Sequence, residues 1–231
     1  DLGTYLPRQL VSEKLDEINA NIPEGFGKPF IGPISTGLGE IYQYTLEVDH
    51  NLKNNYTPTD LRTIQDWIIR RQMAMVPGVV EVNAFGGAIK QYEVSIDPDE
   101  LKAMGITIKQ VYQALENNNQ NTGGAYIEKN HQASFIRGEG LARSLEDIEN
   151  IVVVSYNNIP VTIRDIATVQ FGNSIRYGAV TKNGEGEAVG GMIMMLKGAN
   201  TNNVIKAVQD RVVQIQKSLP EGVTIKPFLV T

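Results

Sequence analysis

The residue best suited to metal chemistry is Glu40, a carboxylate at the end of the glycine-rich segment 35–40. Gly37 and Gly39 precede it, and glycine lets a backbone approach another group closely. Carboxylates bind hard and borderline divalent cations. Glu40, just before a strand, is therefore a position at which such a cation could bind. The alternative is a glutamate in a solvated loop.

Three methionines, Met192, Met194 and Met195, could supply softer ligands. Thioethers bind copper(I) and silver(I), and the period of two in a strand places Met192 and Met194 on one face. Methionine also fills irregular interiors well. We expect these side chains to fill a core rather than to bind metal.

The other groups with ligand chemistry have structural explanations. His50 and His131 are the only histidines, and both lie in polar segments without a second imidazole at ligand spacing. We expect them to be surface residues. Asp97, Asp99 and Glu100 could form a cation site or an acid–base pair, but Asp97 followed by Pro favours the N-terminus of a helix, where carboxylates stabilise the positive end of the dipole.

Sequence motifs for catalysis are absent, and we predict neither an enzyme nor a bound cofactor. The glycine-rich segment 184–190 lacks the spacing of a phosphate loop and precedes a strand rather than a helix. The chain has no cysteine, which excludes disulfides and thiolate sites. A hydrolase based on Asp97 and Asp99 stays an alternative, which a test for metal-dependent hydrolysis would decide.

Net charge and the lengths of the apolar stretches limit the kinds of partner that this chain could bind. The 231 residues carry a net charge of −5, so no basic field is available for nucleic acid. No stretch reaches the roughly 18–20 apolar residues that span a bilayer, and no signal segment opens the chain. The chain begins with Asp1 and passes almost directly into a helix, so we expect a piece cut inside a subdomain.

The domain organisation follows from a module that occurs three times: an amphipathic helix, a turn that contains Pro and Gly, and a short strand. The turns lie at 22–25, 76–78 and 219–222, where Pro ends the helix and Gly permits the chain to reverse. Such units predict an α+β fold of small βαβ subdomains. The first module predicts a strand at 28–34, and a further strand at 177–182 is expected to pair with 188–196.

Residues typical of helix starts and of turns give further local predictions. Thr59 and Asp97 are predicted N-caps, Thr107 opens a capping-box pattern, and a short helix is predicted to start at residues 144–147. Asn157-Asn158 predicts a hairpin turn. The segment 91–173 differs in character from its flanks, which indicates one αβ subdomain split by an inserted one.

Five motifs, in order along the whole chain, resemble the resistance-nodulation-division (RND) efflux pumps. They are most similar to the heavy-metal branch, which exports copper and silver or cobalt, zinc and cadmium. The motifs are GLGEIYQY at 37–44, LRTIQDW at 61–67, VPGVVEV at 76–82, IDP at 96–98 and PVTIRDIA at 160–167.

The resemblance implies the periplasmic region of a proton-driven inner-membrane pump from a Gram-negative bacterium. It implies ferredoxin-like βαβ porter subdomains: residues 1–42 as the C-terminal part of the first, and residues 43–90 with 174–231 as the second. Residues 91–173 would be the inserted α+β docking subdomain. It further implies a homotrimer that docks on a periplasmic adaptor and an outer-membrane channel, and a sheet edge left open by truncation could pair with another copy.

The resemblance also bears on the exported substrate. In zinc- and cobalt-exporting members the segment containing Glu40 lies beside the transport cleft, whereas copper-type members tend to carry an aromatic residue there. Ile175 stands where copper-type relatives can have a methionine. We therefore expect zinc, cobalt, cadmium or nickel rather than copper or silver. An RND pump for organic compounds and a soluble α/β binding module without a transport role are the alternatives.

Overall fold

The computed structural model describes residues 5–23, 27–35, 39–119, 122–129, 132–138 and 141–231, with backbone alone for 122–129 and 132–138. The helices are α1 (Tyr5–Asn19), α2 (Pro58–Ile64), α3 (Arg70–Met73), α4 (Pro98–Ala103), α5 (Ile108–Asn117), α6 (Leu145–Glu149), α7 (Ile163–Ile166) and α8 (Thr201–Gln216). The strands are β1 (Glu40–Val48), β2 (Val79–Phe85), β3 (Lys90–Ile96), β4 (Thr122–Lys129), β5 (Gln132–Gly138), β6 (Val152–Tyr156), β7 (Ile159–Thr162), β8 (Ala167–Asn173), β9 (Gly190–Met195) and β10 (Val223–Val230).

The chain divides into two compact units. The first contains residues 1–87 and 179–231, and the second contains residues 88–178. The second unit thus interrupts the first in sequence. Among the described residues, no helix has the length and apolar character needed to cross a bilayer.

The first unit contains a four-stranded antiparallel sheet in the order β10-β1-β9-β2. Helices α2 and α3 connect β1 to β2, and α8 connects β9 to β10. Two βαβ halves that interleave in this order form a ferredoxin-like fold. The predicted α+β class, with ferredoxin-like subdomains and an inserted α+β unit, is confirmed.

One face of this sheet packs against the helices and forms the core. Ile193 of β9 and Val208 of α8 are completely buried there. Helices α2 and α3 are joined by a π-helical turn, Gln65–Ile69. This turn was not predicted, because a π turn has no strong local sequence signature and depends on tertiary packing.

A buried polar pair lies inside this core. The Tyr44 hydroxyl donates a 3.0 Å hydrogen bond to Oε1 of Gln65, and both side chains are fully buried. Burial raises the pKa of Tyr44, so the hydroxyl stays neutral and keeps its proton for this bond. Gly191 of β9 makes room, since a Cβ there would lie 2.5 Å from the Tyr44 hydroxyl.

In its described residues the second unit has three antiparallel strand pairs, β3–β8, β4–β5 and β6–β7, with helices α4 to α7. Its core includes Val111, Ile163 and Ile166. Asn157 and Asn158 have φ angles of 52° and 64°, as a tight hairpin turn requires, so the predicted turn is confirmed. Helix α7 and strand β8 were not predicted.

The helix starts of the second unit agree with three predictions. Asp97 accepts hydrogen bonds from the backbone N–H groups of Asp99 and Glu100, which confirms that it caps α4. Thr107 and Ser144 form complete capping boxes. These carboxylate and hydroxyl groups therefore satisfy helix ends.

Three local predictions were wrong. Residues 27–35 form neither helix nor strand, because Pro29 and Pro33 lack the N–H donors that a strand ladder needs. The predicted strand at 177–182 is reduced to a single bridge between Thr181 and Glu187. The N-cap of α2 is Thr57 rather than Thr59, since Pro58 occupies the first helical position.

Replacing Gly191 by Ala should destabilise the first unit. The new methyl group would press on the Tyr44–Gln65 pair, and overpacking of this kind costs about 1–3 kcal/mol. Urea unfolding monitored by circular dichroism would measure the loss. Gly32→Ala is the control, because a Cβ at Gly32 meets no atom within 4 Å. Equal stabilities for the two variants would contradict the packing described here.

Asp165 should make the second unit sensitive to acid. The Thr162 backbone N–H and hydroxyl donate to its carboxylate at 2.7 and 2.8 Å and hold its pKa below the ordinary 3.8. A lowered folded pKa contributes stability above 3.8 that is lost as pH falls toward the folded value. In thermal melts, wild type should therefore exceed Asp165→Asn at neutral pH, with the gap closing below pH 3.8. Glu185→Gln is the control, because this exposed carboxylate lies outside any helix and accepts no hydrogen bond in the described structure, so it should show no such gap.

Candidate metal-binding face

Glu40 is the first residue of β1 and is half-buried. Gly39 lies against β9, since a Cβ on it would be 3.1 Å from the carbonyl oxygen of Met195. The glycine thus permits a close approach of two strands. Gly37 and Leu38 lie outside the described residues.

The Glu40 carboxylate has a neighbour on its own strand. Nε2 of Gln43 donates a 3.2 Å hydrogen bond to its Oε2. A β-bulge between Glu40 and Tyr42 brings these two side chains to the same side of β1. The amide therefore orients the carboxylate while leaving its second oxygen available to a ligand.

Strand register brings Glu40 next to a methionine and a second carboxylate. Met194 of β9 lies directly opposite Glu40 of β1 and Glu81 of β2. Directly opposed residues of an antiparallel sheet project from the same face. Glu40, Met194 and Glu81 therefore form a row across three strands.

A second row of the same kind lies beside the first. Met192 of β9 is opposite Gln43 of β1 and Asn83 of β2. We call these two sets, Glu40–Met194–Glu81 and Gln43–Met192–Asn83, the donor rows. In each row a thioether lies between two oxygen-bearing side chains.

Both donor rows are on the face of the sheet that turns away from the helices. Tyr44 and Ile193 point into the core and are completely buried, and the donor residues alternate with them. All six donor residues are half-buried. The expectation that methionines fill the core is thus wrong for Met192 and Met194, whereas Met195 does pack against it.

The chemistry of the donor rows suits borderline and soft cations. Carboxylate oxygens favour harder ions and thioethers favour softer ones. Neighbouring strands are about 4.8 Å apart, so the Glu40 and Glu81 backbones are about 10 Å apart with Met194 between them. Among the described residues, no three His, Asp or Glu side chains are gathered as a metal cluster. The row is therefore a partial ligand set.

His50 lies away from the donor rows. It is exposed and lines a groove of about 580 Å³, together with Lys53 and Glu185. Lys182, at the rim, donates hydrogen bonds to Thr45 at 2.9 Å and Glu47 at 2.7 Å. His50 is thus the surface residue expected from the sequence. The other histidine, at position 131, lies outside the described residues.

Comparison with known proteins places this sheet in a family. The sequence profile of the AcrB/AcrD/AcrF family matches residues 1–231. The chain belongs to this family. Its members are RND transporters rather than enzymes, which confirms the predicted RND resemblance and the prediction of no enzymatic activity.

Two similar members of the AcrB/AcrD/AcrF family have names that refer to metal resistance or cation efflux. The chain is 45% identical over 225 residues to the cobalt-zinc-cadmium resistance protein CzcA of Cupriavidus metallidurans, covering 96% of this chain and 21% of that protein. It is 40% identical over 222 residues to the cation efflux system protein CusA of Escherichia coli K12, covering 96% and 21%. The chain spans about a fifth of the length of these relatives.

A solved structure shows the same arrangement of elements. The crystal structure of a heavy metal efflux pump superposes with a TM-score of 0.81 at 30% identity, covering 99% of this chain and 22% of that one. The family assignment and the fold therefore agree over nearly the whole chain.

The sequence alone did not reveal the partners of Glu40. Glu81 gives no signal in the sequence, because it is an isolated charge in the apolar segment 79–85. The alternation of Met192 and Met194 places both on one face of a strand, but alternation does not say which face of the sheet the helices cover. Strand order was the missing information.

A double-cysteine experiment tests the first donor row. Glu40→Cys combined with Met194→Cys should form a disulfide under mild oxidation, because directly opposed residues have Cα atoms about 4.5–5.5 Å apart. The chain has no other cysteine, so thiol counting and mass spectrometry give a clear result. Gln43→Cys with Met194→Cys is the control, a diagonal pair about 7–8 Å apart. Equal cross-linking of both pairs would refute the register.

Proposed function

We propose that this chain is the periplasmic porter and docking region of a proton-driven pump that exports heavy-metal cations. The observation that carries the proposal is the match to metal-resistance proteins over 96% of the chain. The donor rows support it, since they supply carboxylate and thioether ligands on one sheet face. The fragment itself would neither pump nor hydrolyse.

In this proposal, residues 43–90 and 174–231 form the second porter subdomain. The ferredoxin-like sheet of the first unit supports this assignment. Residues 1–42 would complete a preceding porter subdomain: α1 has no buried residue and exposes Leu10 and Val11, which need a covering sheet. Residues 91–173 would be the docking subdomain.

The parent pump would work as a trimer with a periplasmic adaptor and an outer-membrane channel. These partners are proposed because pumps of this family operate in such assemblies. Self-association of the fragment through an open sheet edge also stays a prediction. The edge strands of the four-stranded sheet are β2 and β10, and β10 exposes Phe228 and Leu229.

Glu40 is the proposed metal ligand, and it favours divalent zinc, cobalt, cadmium or nickel. Its carboxylate is half-buried and hydrogen-bonded by a neutral amide, so no protein cation occupies it in the described structure. Met194 adds a soft ligand that would suit cadmium among these ions. The isolated chain would supply part of the coordination shell, and the parent protein the rest.

Export of copper(I) or silver(I) is the second candidate. The observation in its favour is the position of Met192 and Met194 on the open face, where the sequence had predicted core residues. Two thioethers on alternate residues of one strand project from the same face about 7 Å apart along the strand, and thioethers bind these soft ions.

Transport assays in the parent pump separate these candidates. Glu40→Gln should reduce zinc, cobalt and cadmium tolerance of a metal-sensitive host. Loss of a group that only orients a ligand typically lowers metal affinity by about 10–100-fold, and loss of a direct ligand should cost at least as much. Met194→Leu, which preserves volume, should leave zinc tolerance intact if the cargo is divalent. If the cargo is copper or silver, Met194→Leu should reduce tolerance and Glu40→Gln should not.

The matched control for this assay is Glu185→Gln. Glu185 is an exposed glutamate of the same unit that lies outside the donor rows. Its replacement should change no tolerance. If neither Glu40→Gln nor Met194→Leu alters tolerance to any metal at normal expression, the donor rows have no role in export.

A further inference from the structure

The sequence contains one Asn-Gly pair, Asn183 and Gly184, and the structure places it in a tight turn of the first unit. The φ angles of the two residues are 54° and 73°. The Glu185 N–H donates a 3.0 Å hydrogen bond to the carbonyl oxygen of Lys182 and closes the turn. Positive φ angles at both central residues are typical of a two-residue hairpin loop. Both residues are exposed, so water reaches them.

The two groups of this turn that can react with one another are available. Within the described structure, the Asn183 side chain forms no hydrogen bond, and the Gly184 N–H donates to no carbonyl oxygen. Glycine has no side chain that would shield its nitrogen. When this nitrogen attacks Cγ of the preceding asparagine, a five-membered ring closes. The closure requires rotation about the Cα–C bond of Asn183, which the closed turn prevents.

Few backbone contacts hold the turn closed. Beyond it, the described contacts between the two arms are the bridge pair of Thr181 with Glu187 and a 2.7 Å hydrogen bond from the Ala188 N–H to the carbonyl oxygen of Val180. Exposed segments with few hydrogen bonds open locally at a small cost in free energy. We therefore expect the 182–185 turn to open readily.

The second unit contains a turn of the same kind that is held more firmly. Asn157 and Asn158 have φ angles of 52° and 64° and are exposed. The paired strands β6 and β7 lie directly on either side of them. Asn157 therefore occupies the position that corresponds to Asn183, but a residue with a side chain follows it and a ladder restrains it.

We propose that Asn183 is a self-modification site, which deamidates when the 182–185 turn opens. The Gly184 nitrogen loses its proton to solvent and bonds to Cγ of Asn183. The bond from Cγ to the side-chain nitrogen breaks, and ammonia leaves with a proton from water. Water then opens the succinimide ring at either carbonyl, which gives aspartate or isoaspartate. The reaction needs water alone, and it does not depend on the metal that is carried.

Isoaspartate at this position would change a contact on the sheet. Lys182, the residue before the site, donates hydrogen bonds to Thr45 at 2.9 Å and to Glu47 at 2.7 Å. Isoaspartate adds one carbon to the main chain, so the bond between Glu185 and Lys182 can no longer close the turn. Lys182 would then move away from Thr45, which is buried. Aspartate keeps the main-chain length and would leave these bonds in place.

Peptide mapping by mass spectrometry, after incubation of the folded chain in mildly alkaline buffer, tests the proposal. Asn183 should convert to aspartate and isoaspartate with loss of ammonia, while Asn157 stays intact. Gly184→Asn reproduces the Asn157-Asn158 pair in the weaker turn and should abolish the conversion. Asn158→Gly places an Asn-Gly pair in the firmer turn, where conversion of Asn157 should stay below that of Asn183.

Thermal melts test the structural consequence. Incubated wild type should unfold at a lower temperature than fresh Asn183→Asp, which carries the new charge without the added carbon. Equal melting would show that Lys182 keeps its contacts. An intact Asn183 in the folded chain, under conditions in which a synthetic peptide of residues 179–188 converts, would overturn the proposal. Equal conversion of Asn157 and Asn183 in wild type, or undiminished conversion in Gly184→Asn, would also overturn it.

Discussion

The first unit depends on the absence of side chains at Gly190 and Gly191, where β9 enters the centre of the sheet. A Cβ on Gly190 would lie 2.0 Å from the carbonyl oxygen of Tyr44, and one on Gly191 would meet the Tyr44 hydroxyl. Larger residues would force β9 away from β1. Because β9 carries Met192 and Met194, the two glycines also set the position of the donor rows.

The two faces of β9 have different roles. On one face, Ile193 packs under the helices and supplies stability through burial of apolar area. On the other face, Met192 and Met194 remain partly accessible beside oxygen-bearing side chains. Residues 192–195 of β9 therefore contribute both to the core and to the candidate site. The two contributions alternate along the strand, because successive side chains of a strand point to opposite faces.

Much of the fold could be predicted from local chemistry. The turns with Pro and Gly at 76–78 and 219–222 do connect a helix to a strand, and Asp97 caps a helix as predicted. The donor rows could not be predicted, because residues 40, 81 and 194 meet only through the strand order β10-β1-β9-β2. Long-range register depends on which strands pair, and periodicity within one strand carries no information about its neighbours.

The π-helical turn has a consequence for how this family can vary in length. The hydrogen bond that defines this turn runs from the N–H of Arg70 to the carbonyl oxygen of Gln65, five residues earlier. Deleting one residue there would restore regular helical bonds but rotate everything that follows by about 100°. Ile69 and Met73, both completely buried, would then leave the core. Sequences that share this core are therefore bound to keep the extra residue, and gaps in their alignment should fall elsewhere.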